Sequence, residues 1–273
     1  MCRRGCPDLE IHPIGFDSSE LQVKDWMFLI GAMGNDSTYI HEIKQILKRL
    51  NKEVTLRGLK HGVAANQYLS QSQKNLANQR LSFAEDYITD GVKLQQYMKP
   101  GRLIIVDLRD EFIEKDEALG LFVVMLNIFS GVKTVNGQSF NKFIVFDEAH
   151  KYMDDKKMVD SITVAIKEMR HKGVSIRIAS QNPVGLPTEI IELSSIILLH
   201  KFNSPAWVKH IQKSITSMQS LSSADLASLG SGEAYLWANK ATEKTITIRP
   251  MKISIRPRVT KHGGETIHAV NEE

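Results

Sequence analysis

Apolar residues recur at helical spacing through the first hundred residues of the chain. Over residues 38–50 the isoleucines and leucines fall on one stripe, and Asp36 or Ser37 stands where an N-cap is expected. Helical spacing continues almost to the end of this region, whereas the first residues show no clear period. The pattern therefore predicts an irregular entry segment over residues 1–24 and a mainly helical subdomain over residues 25–100.

The pattern changes after Pro100-Gly101, where short apolar runs begin to alternate with helical stretches. Continuous apolar runs are typical of strands covered on both faces, and their alternation with helices predicts a mostly parallel α/β sheet with flanking helices. The predicted strands are 103–106, 143–146, 174–179 and 196–200, followed by edge strands at 234–237 and 244–255. The predicted helices are 117–130, 158–171 and 189–193. We expect this α/β region to span residues 101–259 and a basic, flexible tail to cover residues 260–273.

Composition excludes several classes of protein. Of the 273 residues, 42% are hydrophobic and 24% are charged, which is typical of a globular protein and not of a disordered or collagen-like chain. Both cysteines lie at the N-terminus, which favours a reducing compartment. The longest apolar run, 119–129, is about half of the roughly 20 residues that a membrane helix needs. We therefore expect a cytoplasmic protein that does not enter a membrane.

The strongest chemical signal is the sequence FIVFDEAH at residues 143–150. A buried strand that ends in two carboxylates delivers them to the carboxyl edge of a parallel sheet, where open α/β folds bind ligands. In this Walker B pattern, Asp147 is expected to hold Mg²⁺ through water, and Glu148 to polarise the water that attacks a γ-phosphate. The alternative is a strand that simply ends in an acidic turn.

Polar residues on both sides of the next predicted strand add to this signal. The strand ends at Ser180-Gln181, and in RecA-like ATPases a polar residue at this place commonly senses the γ-phosphate. Gln181 could do so, or it could only form an N-cap or a loop hydrogen bond. Arg170 and Lys172, which precede the strand, could complement the dipole at a helix C-terminus. Arg170 could instead reach the nucleotide of a neighbouring subunit in a ring, because a guanidinium is always charged and forks onto phosphate.

Two segments carry a resemblance to a known family. FIVFDEAHKYM at 143–153 and EMRHKGVSIRIASQNPVGLPTEIIELSSIILLHKF at 168–202 resemble the carboxyl half of the HerA/FtsK class of hexameric DNA-pumping ATPases, and the HerA-like branch most of all. Weaker matches are DWMFLIGAMGNDSTYI, PGRLIIVDLRDEFIEKDEALGLF and RPRVTKHGG. A two-lobed DEAH helicase is disfavoured, since Ser180-Gln181 stands where such helicases carry a Ser-Ala-Thr motif.

The resemblance implies a RecA-like core, ATP and Mg²⁺ as ligands, and a hexameric ring that moves double-stranded DNA. It implies catalytic roles for Glu148, Gln181 and Arg170, and contacts with a nucleotide for Lys172 and Arg258. A flexible basic tail is the alternative for the segment around Arg258. The net charge of +4 is compatible with the phosphate contacts that a DNA pump needs. A nuclease or defence-system partner is also implied by the resemblance, although no residue of this sequence indicates it.

One departure from the family pattern concerns the phosphate-binding loop. The sequence contains no G-x-x-x-x-G-K-[ST] motif and no Gly-Lys dipeptide, although such a loop needs glycines for close backbone approach and a lysine for charge. We therefore expect the carboxyl-terminal portion of a longer or split ATPase, which alone hydrolyses ATP poorly or not at all. The alternatives are a non-catalytic module that completes a ring with a P-loop-bearing partner, and a conjugation-type coupling ATPase.

Overall fold

The computed structural model describes residues 10–32, 37–51, 53–108, 113, 115–132, 134–135, 138–139, 141–153, 159, 163–164, 166–168, 172–257 and 259. The chain divides into two compact units, Met1–Ser180 and Gln181–Glu273. The boundary predicted at residue 100 therefore falls inside the first unit.

The first unit begins with helices, as the periodicity predicts. They are α1 (Val23–Leu29), α2 (Thr38–Leu50), α3 (Leu56–Ala65) and α4 (Gln71–Asp86), with short 3-10 helices at Ser18–Glu20 and Leu94–Tyr97. The caps that start α3 and α4 are side chains: Thr55 accepts a hydrogen bond from the Gly58 amide, and Ser70 accepts one from the Gln73 amide. Ser37 occupies the N-cap position of α2 without a side-chain cap.

Helix α5 (Lys115–Gly131) packs closely against α1. Gly120 makes the approach possible, because a Cβ atom there would lie 2.8 Å from the backbone oxygen of Phe28. Asp25, whose side chain is almost fully buried, accepts hydrogen bonds from Asn127 Nδ2 at 2.8 Å and from the Gln22 amide at 2.9 Å. Burial raises the pKa of Asp25, and these two hydrogen bonds oppose the rise.

Two short sheets complete the first unit. Strands β1 (Thr134–Val135) and β2 (Gln138–Ser139) pair as antiparallel neighbours, and β3 (Lys142–Phe146) pairs with β4 (Val174–Ile178) in parallel. Both strands of the parallel pair were predicted, and residues 163–164 and 166–168 of the predicted connecting helix are helical.

The expectation that both faces of these strands are covered is wrong within the part of the chain that the structure describes. One face of β3 meets α5, where the Phe122 and Phe146 rings lie 4.9 Å apart. On the other face, Phe143 is 66% exposed and Val145 is 52% exposed. Burial therefore alternates along β3 and β4 instead of being continuous.

The second unit has its own small core. It contains α6 (Thr188–Leu193), β5 (Ile196–Leu199), α7 (Pro205–Ser214), α8 (Ser223–Ala227), β6 (Glu233–Ala238), α9 (Lys244–Ile248) and β7 (Met251–Ser254). Strands β5, β6 and β7 form an antiparallel sheet in that order. One buried cluster beside this sheet consists of Ile191, Ile211, Ile215, Met218 and Trp237. The α/β class is confirmed, with parallel pairing in β3–β4. The strand predicted at 196–200 forms as β5, but it pairs with β6 in a separate antiparallel sheet and not with the parallel strands.

Two predicted strands differ from the structure. The strand predicted at 103–106 is wrong, because residues 102–108 have no regular secondary structure and the aliphatic side chains of residues 103–106 are exposed. An apolar run favours extended backbone, but a strand also needs a hydrogen-bonded neighbour. The strand predicted at 244–255 is wrong in its first half: Glu243 caps α9, and Pro250 separates that helix from β7.

We predict that Gly120→Ala destabilises the first unit by about 1–3 kcal/mol, because the added methyl group forces α5 away from the Phe28 carbonyl. The measurement is the free energy of unfolding from chemical denaturation. Gly131→Ala is the matched control on the same helix, since a Cβ there meets nothing within 4 Å. Equal stability of the two variants would contradict the close contact between α1 and α5.

We predict that Asp25→Asn makes the free energy of unfolding less dependent on pH above pH 3.8, the ordinary value for an aspartate. The raised pKa means that folded Asp25 binds its proton more tightly than the unfolded chain does. Its contribution to stability is therefore present below pH 3.8 and is lost as pH rises through the folded-state pKa. Asp86→Asn, at an exposed position of α4, is the control. An unchanged pH slope in Asp25→Asn would contradict the prediction.

Candidate functional site

The carboxyl ends of β3 and β4 meet at one edge of the parallel sheet. The last register pair is Phe146 with Ile178, and the chain beyond this pair stays joined by backbone hydrogen bonds. The Ala179 amide donates to the Phe146 oxygen at 2.8 Å, and the Ala149 amide donates to the Ala179 oxygen at 3.0 Å. Asp147 and Glu148, which lie between these two bonds, are therefore held beside the end of β4, as the sequence predicts.

Glu148 has a backbone conformation that is rare for a residue with a side chain. Its φ of 52° and ψ of 38° place it in the left-handed region, at the start of a 3-10 helix over Ala149–Tyr152. Its amide donates to Asp147 Oδ1 at 3.1 Å. Such a conformation costs of order 1–3 kcal/mol and persists only where the surrounding structure enforces it, which happens most often at functional sites.

A histidine connects Glu148 to the end of β4. His150 Nε2 lies 3.5 Å from Glu148 Oε2, and His150 Nδ1 lies 3.3 Å from Ser180 Oγ. Both Glu148 and His150 are about three-quarters buried, with 28% and 22% of their side chains exposed. Sequence reasoning did not identify His150 or Ser180 as site residues. The signals that it passed over are the histidine two positions after Glu148 in DEAH, and the serine directly before Gln181.

Asp147 has an exposed side chain, so a hydrated cation has access to its carboxylate. Mg²⁺ usually keeps several waters and binds one or two carboxylates together with substrate phosphates. Asp147, the exposed one of the two carboxylates at this edge, is therefore of the kind that would hold a hydrated Mg²⁺ ion. Among the described residues, no group of three or more histidine, cysteine or acidic side chains forms a cage that could hold a metal by itself.

Lys172 lies at the other end of the sheet. It comes two residues before β4, and its Nζ atom lies 3.8 Å from Glu168 Oε2. Burial lowers the pKa of Lys142, the first residue of β3, and the nearby charge of Lys172 lowers it further. The length of β4, at about 3.3 Å per residue, separates this end from Glu148. The structure thus does not bring Lys172 together with the two carboxylates of its own chain.

The remaining predicted site residues are Gln181, Arg170 and Arg258, of which only Gln181 is among the described residues. Gln181 is exposed and begins the second unit, directly after β4. The neighbouring Asn182, not Gln181, caps the next 3-10 helix by accepting from the Val184 amide at 3.2 Å. Arg170 and Arg258 lie outside the residues that the structure describes.

Comparisons with known proteins bear on the fold and on the family. No helix in the described part of the chain has both the length and the apolar character needed to cross a bilayer. Comparison with curated proteins finds no match. Among solved structures, VirB4 of Thermoanaerobacter pseudethanolicus is similar, with 12% identity, a TM-score of 0.57, and coverage of 90% of this chain and 74% of the VirB4 chain. At this identity the likeness concerns the fold.

The family comparison covers the α/β region itself. Residues 105–260 match the family described as helicase HerA-like C-terminal. That segment is more than half of the 273 residues and includes both carboxylates that follow β3. The chain belongs to the helicase HerA-like C-terminal family.

Proposed function

We propose that this chain is part of an ATP-hydrolysing motor that moves double-stranded DNA through a hexameric ring. The observation that carries the proposal is the pair of carboxylates at the end of β3, in which Asp147 is open to solvent and Glu148 is held in a left-handed turn beside β4. Two carboxylates in different environments can take different roles in one reaction. Membership of the HerA-like family supports the assignment of that reaction to ATP.

The proposed chemistry divides between these carboxylates. Asp147 would hold Mg²⁺ through water, and the bound ion would supply positive charge for the phosphates of ATP. Glu148 accepts a proton from the water that attacks the γ-phosphate, so the bond between that phosphate and ADP breaks as the new P–O bond forms. Gln181 contacts the γ-phosphate and reports its loss. The partial burial of Glu148 favours this role, because a base in a protected site is oriented and is not fully hydrated.

In the proposed ring, positively charged side chains of one subunit lie at the nucleotide of the next subunit. Lys172 supports this arrangement, since it lies at the sheet end away from the carboxylates of its own chain. Arg170 is proposed as the finger that stabilises the transferring phosphoryl group, and Arg258 as a further phosphate contact. A guanidinium suits both positions because it keeps its charge and can bind two phosphate oxygens.

The proposed substrate of the movement is DNA, contacted through its phosphates. The net charge of +4 is compatible with sequence-independent binding of this kind. A nuclease or defence-system partner working beside the ring is proposed on the family resemblance, and its identification requires co-purification from the native source.

We predict that Glu148→Gln in the complete motor lowers the rate of ATP hydrolysis at least about 10²-fold while nucleotide affinity stays within about threefold. The substitution keeps the size of the side chain and removes the base. The measurements are steady-state hydrolysis with DNA and Mg²⁺, and binding of a fluorescent nucleotide. Glu192→Gln, the same change at an exposed position of α6, is the matched control.

Retained turnover in Glu148→Gln would show that Glu148 is not the base. Absence of hydrolysis in the wild-type complex, with intact ring assembly around a P-loop-bearing partner, would favour a non-catalytic module instead.

We predict that Arg170→Ala and Glu148→Gln, each inactive alone, regain part of their activity when mixed in one ring. Some interfaces of a mixed ring pair an intact Glu148 with an intact Arg170 from the adjacent subunit. An arginine finger is worth roughly 10³- to 10⁵-fold in rate, so even a few restored interfaces are measurable.

Native mass spectrometry of the mixed rings is the control for co-assembly. If co-assembled rings stay inactive, Arg170 does not act across the interface. Near-normal turnover of Arg170→Ala alone would assign the residue to a helix C-terminus, where a cation contributes about 0.3–1 kcal/mol.

A further inference from the structure

The two nitrogen atoms of His150 face different strands of the parallel sheet. Nε2 lies 3.5 Å from Glu148 Oε2, on the segment that follows β3, and Nδ1 lies 3.3 Å from Ser180 Oγ, on the segment that follows β4. We call this arrangement the Glu148–His150–Ser180 bridge. It is the side-chain counterpart of the backbone bonds that join Phe146, Ala149 and Ala179.

The chemistry of the three groups indicates which ring nitrogen carries the proton when the imidazole is neutral. An ionised carboxylate can only accept, so the proton of a neutral imidazole belongs on Nε2, facing Glu148. Nδ1 then carries a lone pair and accepts from the Ser180 hydroxyl. A hydroxyl hydrogen rotates to suit its acceptor, so Ser180 can donate to Nδ1 in the tautomer that the Glu148 carboxylate favours. The ring is thereby oriented by the segment after β4 and restrains the carboxylate on the segment after β3.

Both contacts are longer than the separation of about 2.8–3.0 Å in a tight hydrogen bond. Catalytic hydrogen bonds are often long without substrate and shorten when the reacting complex forms. The backbone at Glu148 is already fixed by its left-handed turn and by the Ala149 hydrogen bond. The contact with His150 acts on the Glu148 side chain and not on its backbone.

We propose that His150 is a positioning residue, which Ser180 orients and which in turn holds the Glu148 carboxylate in line with the attacking water. The inference rests on the proposed function, because it gives the base assigned there its orientation. It adds a route by which the end of β4 controls the base. Ser180 directly precedes Gln181 in the chain. A movement of Gln181, the proposed γ-phosphate sensor, is therefore expected to shift Ser180 and with it the ring of His150.

The kinetic test compares four variants of the complete motor. His150→Ala should lower kcat by roughly 10- to 100-fold with KM nearly unchanged, because misplacing a catalytic group by about 1 Å can cost 10²-fold in rate. His150→Gln, whose amide can still donate to Glu148, should recover part of this loss. Ser180→Ala should lower kcat less than His150→Ala, and Ser180→Thr, which keeps the hydroxyl, should stay close to wild type.

A double-mutant cycle separates positioning from general damage. Because Ser180 is proposed to act through His150, the double variant His150→Ala/Ser180→Ala should be no slower than His150→Ala alone. If the losses in kcat of the two single variants multiply in the double variant, His150 and Ser180 act independently, and the proposed bridge is overturned. His61→Ala, at an exposed position of α3, is the control for loss of a histidine elsewhere. A melting temperature near that of wild type in each variant shows that the fold is intact.

A second readout does not depend on hydrolysis. The chain has nine histidines, which ¹⁵N-histidine labelling makes visible in NMR spectra. The ring signals that disappear in His150→Gln are those of His150. We expect an unprotonated Nδ1 whose chemical shift moves in Ser180→Ala. The same Nδ1 shift in wild type and in Ser180→Ala would overturn the contact between His150 and Ser180.

The outcomes distinguish this inference from the proposed function. If Glu148→Gln keeps its turnover, the assignment of the base fails, whatever His150 does. If Glu148→Gln is inactive while His150→Ala turns over within about twofold of wild type, the base stands and the positioning role of His150 is overturned.

Discussion

The packing of α5 is the constraint on which the geometry of the carboxylate site depends. On one side α5 meets α1, where Gly120 admits the Phe28 carbonyl and Asn127 donates to the buried Asp25. On the other side it meets β3 at both ends of the strand. Phe122 packs on Phe146 at the carboxyl end, and Lys142 at the amino end donates to the carbonyl oxygens of Ser130 and Val132.

These contacts explain how so short a strand can hold a strained turn. The last residue of β3 is fixed by the ring of Phe122 and by its pairing with β4, and the chain turns at Asp147 and Glu148 into the 3-10 helix over Ala149–Tyr152. Glu148 adopts its left-handed conformation within this turn. Its cost is offset by the Ala149–Ala179 and Ala179–Phe146 hydrogen bonds, each worth about 0.5–1.5 kcal/mol net. Weakening α5 is therefore expected to affect the site without touching a site residue.

The predictions that succeeded from sequence are those that depend on local pattern. Helices α2 and α5, strands β3 and β4, and the carboxylates after β3 all follow from periodicity and from residue type. The strand predicted at 103–106 fails because pairing with a neighbour is a long-range property. Helix α9 was missed because Glu243 supplies a cap that outweighs the β-propensity of Thr245 and Ile246. The contact between His150 and Ser180 joins residues 30 positions apart, which no local pattern contains.

The choice of a histidine beside Glu148 has a physical reason within the proposed mechanism. A lysine carries its donors at the end of a flexible four-carbon stem. An imidazole instead presents an N–H in a direction fixed by the plane of its ring, so it can hold a carboxylate in one orientation. The imidazole also has a second nitrogen, and the Ser180 hydroxyl that meets it sets the orientation of the ring. One side chain thus links the segment after β4 to the Glu148 carboxylate after β3, because its two ring nitrogens point in different fixed directions.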